Sequence, residues 1–197
     1  MKSFNILILA VMIYLFGGSG LRAQTCDRLQ KATPQDLVLF LDQALPNEGN
    51  TTCLIWAMRE LGDRRYEPAV RVLAGLLSFQ RPQTEEEKQG IYRRMQSVWE
   101  IYPAAAALDS IGRKALPAVL EVIEARSASP TARENALAVW MGIYRHDDRQ
   151  PKGVAALREE ETKAKDNVTR ERLRWAVEKA LTWCNPPEQA ACKDAAR

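Results

Sequence analysis

Apolar residues in this chain recur at helical spacing and almost nowhere alternate. Leu37, Leu41 and Leu45 follow at i, i+4 and i+8, one stripe of a 3.6-residue helix. Ala136, Leu137, Trp140, Ile143 and Tyr144 mark one face of another helix. A further helix, over about 168–182, carries Val168, Arg172, Trp175 and Lys179 on one stripe, with Leu173, Ala176, Val177, Ala180 and Leu181 beside it. There is no sustained period-two run, and no Asn-Gly or Asp-Gly turn between β-branched runs. The pattern predicts an all-α chain.

Helix punctuation agrees. Thr33-Pro34-Gln35-Asp36 sets a capping hydroxyl, a first-turn proline and an acid in helix-starting order. Thr84-Glu85-Glu86-Glu87 is a capping box, its acids complementing the helix dipole. Ser129-Pro130 opens another helix.

Some of these helices come as similar pairs. Segments 56–63, 106–113 and 140–147 can be laid in register on Gly62, Gly112 and His146. A proline follows five or six residues later, at Pro68, Pro117 and Pro151, and an apolar helix resumes. Glycine ends a helix in the left-handed conformation without steric cost, so Gly62 and Gly112 are expected there. His146 would share that backbone region, in which histidine is enriched. Each proline suits the first turn of the next helix. One helix pair cannot bury both faces, so neighbouring pairs are expected to stack.

Leu61-Gly62-Asp63-Arg64-Arg65-Tyr66-Glu67-Pro68-Ala69-Val70, together with the run from Ala107 to Leu120, resembles HEAT repeats, especially the short phycobilisome-lyase-type variety. The likeness covers 50–79 and 100–126 well and 130–160 loosely. It implies a short right-handed α-solenoid over 24–197 that binds another protein, and it carries over no catalytic residue. Two departures stand out: the third unit has His146 where glycine would be, and the units are unevenly spaced. The first two units are 50 residues apart and the next two 34 apart. The extra residues, around Arg81 to Lys88, form either a separate helix or an extension of the next one, kinked at Pro103.

The amino terminus and the cysteines bear on compartment. Lys2, the apolar run Ile6–Phe16, and Gly17 to Ala23 read as a signal peptide over 1–23. The run is too short for the roughly 20 residues of a spanning helix. Thr25 before Cys26 does not suit lipidation. Export, either secreted or periplasmic, is the expectation, with no stable membrane anchor after cleavage. The four cysteines then read as disulfides. Cys26 and Cys53 lie near one end of the mature chain and Cys184 and Cys192 near the other, which predicts those two pairs. Loop entropy assigns them about 3.6 and about 2.6 kcal/mol. A tetrahedral zinc site is the rival, but no CxxC spacing supports it.

Composition narrows function. The chain has 197 residues, 46% hydrophobic, and a net charge of +3. Removing Lys2 and Arg22 with the leader brings it to +1. No charge excess points to nucleic acid. The single histidine excludes two-histidine zinc sites and HExxH helices. His146-Asp147-Asp148 reads as a turn. No phosphate loop, nucleophile elbow or calcium loop is present, so neither cofactor nor metal is expected. Glu159–Lys163 and Glu161–Lys165 are spaced for i,i+4 pairing on a solvated face. The basic runs Arg93-Arg94 and Arg170-Glu171-Arg172-Leu173-Arg174 read as solvated faces too.

Trp56, Trp99, Trp140 and Trp175 are separated by 43, 41 and 35 residues, close to one repeat length. They read either as core spacers or as anchors for a bound partner. Asn50-Thr51-Thr52 and Asn167-Val168-Thr169 are glycosylation sequons. The leading expectation is an exported, non-catalytic interaction module with an unidentified protein partner. The rival is a small secreted enzyme or small-ligand carrier on a disulfide-closed bundle, with tryptophans and carboxylates converging in one pocket.

Overall fold

The computed structural model describes residues 24–44, 50–90, 96–146 and 149–197. The signal-peptide segment, Leu45, Arg93, Arg94, Asp147 and Asp148 lie outside the described residues. Every regular element among the described residues is helical. The described residues form twelve α-helices in chain order: α1 Gln24–Gln30, α2 Pro34–Gln43, α3 Thr51–Asp63, α4 Val70–Gly75, α5 Glu85–Lys88, α6 Val98–Ile101, α7 Pro103–Ile111, α8 Leu116–Glu124, α9 Pro130–Arg145, α10 Gln150–Lys163, α11 Asn167–Trp183 and α12 Gln189–Ala195. The chain divides into two compact units, residues up to 57 and residues 58–197, with the division inside α3.

In the first unit, α2 begins as the sequence predicts. Thr33 Oγ1 accepts the Asp36 N–H at 3.2 Å, and the Asp36 carboxylate accepts the Thr33 N–H at 3.1 Å. The Thr33 hydroxyl, which donates to the Asp36 carboxylate at 2.6 Å, and then the Thr33 N–H hold that carboxyl below its ordinary value. Leu37 and Leu41 are buried, as is Leu54 of α3. Cys26 and Cys53 stand at disulfide distance, their Cα atoms 5.3 Å apart. That joins α1 to α3.

The second unit is ordered by succession. A turn through Gly112–Ala115 joins α7 to α8. Each of these two helices packs against both α4 and α9. Next, α11 lies against α8 and α9, while α10 packs on α9 and α11. Besides α4 and α9, α8 thus meets α11. Leu73, Leu108, Val119, Ile123, Leu137, Leu157 and Leu173 have no exposed surface. Burying each such side chain contributes about 1.5–3 kcal/mol. At the carboxyl end α12 packs on α10 and α11, and Cys184 and Cys192 stand at disulfide distance. Both predicted cysteine pairings are therefore present.

The two glycine-marked turns differ from expectation in an instructive way. Gly112 does cap α7, at φ +77°. Gly62 has no positive φ and sits inside the last turn of α3. The left-handed residue there is Arg65, at φ +48°. Its N–H donates to Gly62 O at 2.9 Å, and the Tyr66 N–H donates to Leu61 O at 3.0 Å. That pair of bonds is a Schellman ending. Gly62 is small for another reason: a Cβ there would come within 2.7 Å of Ala107 Cα. His146 is also right-handed, at φ −58°, and not left-handed as expected.

The insertion resolves into separate short helices. Thr84 and Glu87 form the capping box of α5, and α6 ends before extended Tyr102 and Pro103. Arg81 holds the segment together. Its N–H donates to Ile101 O at 3.0 Å, its Nε to Glu100 O at 2.6 Å, and its Nη2 to Glu87 Oε1 at 2.5 Å. The Gln96 amide also donates to Glu87. Arg81 first, with the Thr84 N–H, lowers the Glu87 carboxyl from 4.5 to about 2.

Candidate functional site

Two concave places in the second unit bring polar side chains together. The first is a recess of about 710 Å³ lined by Gly62, Asp63, Arg65, Asp109, Gly112, Arg113 and His146, among others. All three aligned turn positions border it. Asp109, on α7, lies between two turns of α9. A Cβ at Gly142 would come within 2.7 Å of its Oδ1, so the missing side chain makes room for the carboxylate. One helical turn on, His146 Nε2 lies 2.9 Å from Asp109 Oδ2. Asp109 Oδ1 is buried and has no hydrogen-bond partner among the described residues. His146 is therefore a contact between α7 and α9, where the sequence suggested only a turn. Its side chain is 67% exposed, that of Asp109 15%. Arg113 stacks over the half-buried Tyr144 ring at 5.6 Å, and burial pushes the Tyr144 hydroxyl up from its ordinary value.

The second place is a groove of about 530 Å³ between α9 and α11, lined by Pro130, Arg133, Glu134, Val168, Glu171, Arg172, Trp175 and Lys179. Its α11 wall is the Val168–Arg172–Trp175–Lys179 stripe, which four-residue spacing keeps on one line. Two of its cations close the end of α8, whose last carbonyls lack intrahelical partners. Arg133 donates from Nε to Ile123 O at 3.2 Å and from Nη2 to Ala125 O and Ala128 O, both at 3.1 Å. Arg172 donates from Nη1 to Glu124 O at 2.8 Å. Positive charge at a helix carboxyl end is favourable. Burial, then the neighbouring Arg172, lowers the Arg133 guanidinium below its ordinary value. Lys179 pairs with Glu134 at 3.0 Å.

The tryptophans take different roles. Trp140 is 4% exposed and donates from Nε1 to Gly153 O at 3.0 Å, where α9 and α10 cross closely. The Trp99 ring lies over Gly142, within about 3.0 Å of where a Cβ would stand. Trp175 is half-buried in the groove wall, and Trp56 of the first unit is half-buried in α3. Trp140 is thus a core spacer, while Trp175 keeps one side open.

Charge patterning was read correctly in one place and wrongly in another. Glu159 and Lys163 pair at 2.7 Å, as spacing predicts. Glu161 turns inward instead of pairing with Lys165. It is 3% exposed and takes Arg158 at 2.5 Å and Arg174 at 3.1 Å. Burial alone would raise its carboxyl, and the two guanidiniums hold it lower. The run Arg170–Arg174 is accordingly no simple solvated face, since Arg170, Arg172 and Arg174 all carry hydrogen bonds. Sequence reasoning missed Arg133, Asp109 and Arg81, whose partners lie in other elements. No described group of cysteine, histidine and acidic side chains could hold a metal ion. No protein-family model, curated protein or solved structure matches the chain.

Proposed function

We propose that the chain is an exported, non-catalytic repeat protein whose helix pairs stack as HEAT-like units in a short right-handed α-solenoid and present a surface to a protein partner. The supporting observation is the succession of the second unit. The α7–α8 pair packs against both α4 and α9, and the aligned positions Gly62, Gly112 and His146 border one recess. Repeated units that touch mainly their neighbours behave this way. Disulfide-distance cysteine pairs suit an oxidising compartment, which agrees with the leader-like segment.

The enzyme or carrier reading requires tryptophans and carboxylates to converge. The recess gathers Asp63 and Asp109 but none of the four spaced tryptophans, so the interaction reading is preferred. Small-angle scattering of the purified mature chain tests the stacking: an elongated profile is expected, and a sphere-like one overturns it. Affinity capture from the exported fraction, with crosslinking, tests the partner. A single protein crosslinked to the 58–197 unit is expected; a chain that captures nothing under any condition overturns the reading.

A further inference from the structure

The groove between α9 and α11 has an electrostatic asymmetry that the fold does not use up. Lys179 and Glu134 neutralise each other at 3.0 Å. Arg133 and Arg172 spend their hydrogen bonds on main-chain carbonyls, and neither has a carboxylate in salt-bridge reach among the described residues. Those bonds leave Nη1 of Arg133, and Nε and Nη2 of Arg172, without an acceptor among the described residues. The one remaining acid of the lining, Glu171, is exposed on α11. Beside these donors stands the half-buried Trp175 indole, flanked by Val168 and Pro130. Guanidinium N–H pairs match a carboxylate, and a partly covered indole offers an apolar seat.

We infer that this groove docks an extended acidic segment of the partner protein: one carboxylate meets Arg133 and Arg172, and an adjacent apolar side chain lies on Trp175. The inference rests on the interaction-module reading above. Discrete carboxylates suit the place better than a continuous phosphate chain. Glu171 flanks the groove and would repel a phosphate set beside it at even spacing, and the chain without its leader carries only +1. A peptide can set its acids against the arginines and its apolar residues against the indole.

The test uses a short fluorescein-labelled peptide of alternating glutamate and leucine, followed by anisotropy on the full mature chain. Glutamine–leucine and lysine–leucine peptides serve as controls. The glutamate probe is expected to bind at least about tenfold more tightly than the glutamine probe. Trp175→Ala and Arg172→Gln should each weaken it about tenfold, while Glu171→Gln should strengthen it about twofold. Lys163→Ala, in a surface pair elsewhere, should leave it unchanged. Circular dichroism confirms that each variant is folded; if Arg172→Gln is not, Trp175→Ala and Glu171→Gln decide alone. Equal binding of glutamate and glutamine probes, no binding by either, or unchanged binding in folded Trp175→Ala overturns the inference. So does displacement by oligothymidylate at equal charge. Capture from the exported fraction separates the two levels. A partner retained equally by wild type and Trp175→Ala removes the groove and keeps the module reading, whereas wild type retaining nothing removes the module reading itself.

Discussion

Gly62 and Gly112 occupy equivalent places in two similar segments, yet they are glycines for different reasons. Gly112 adopts φ +77° and has open space around the position of a Cβ. Gly62 has ordinary helical geometry and no room, because the backbone of Ala107 stands where its Cβ would be. One position is constrained by its own backbone and the other by a neighbouring helix. The turn after α3 still needs a left-handed residue, and Arg65 supplies it at φ +48°. The same letter in an aligned repeat can thus mark conformation in one copy and packing in the next.

Substitutions separate the two roles. Gly62→Ala should cause the largest loss, about 3 kcal/mol by chemical denaturation, since rigid main chain must move. Adding Ala107→Gly should recover only part of it, because the nearest atom is Ala107 Cα and not Cβ. Full recovery would locate the constraint in the Ala107 methyl. Gly112→Ala should cost about 2 kcal/mol through backbone strain alone, and no shortening of a neighbouring side chain should rescue it. A coupling above about 0.5 kcal/mol between Gly112→Ala and Ala107→Gly would erase the distinction.

Arg65→Gly should stabilise the chain by about 1 kcal/mol, moving the permissive residue to where the first turn needs it. A neutral or destabilising result would show that the Arg65 side chain outweighs its backbone strain. The smallest effect belongs to the insertion between the two turns. The folded-state value of the Glu87 carboxyl is depressed, so its contribution is present above 4.5 and is lost as pH falls from there toward about 2. Glu87→Gln should flatten the acid limb of a stability–pH profile in that window, by lowering stability at neutral pH toward its value at low pH. An unchanged acid limb would show that the Arg81 contact does not survive in solution.

Legibility in the sequence followed distance along the chain. The caps at Thr33, Thr84 and Ser129 were readable because the accepting hydroxyl and the donating N–H lie within three residues. The Val168–Arg172–Trp175–Lys179 stripe was readable because helical period alone aligns it. Both cysteine pairings followed from position in the chain. Gly62 was misread because Ala107 is far off in sequence, and His146 because its contact is Asp109. Glu161 looked like a surface acid from its i+4 lysine, but the guanidinium of Arg174, on another helix, draws it inward. Arg133 gave no signal, since its acceptors are carbonyls of a helix end that had first to be located.

The anchoring of Arg133 at the end of α8 reaches beyond that helix. A free arginine samples many rotamers, and an incoming group must freeze them at about 0.5–1.5 kcal/mol for such a side chain. Three bonds to Ile123, Ala125 and Ala128 have already restricted this one. Whatever meets its remaining N–H groups encounters a donor fixed in advance, so the entropy of ordering it was spent when the chain folded.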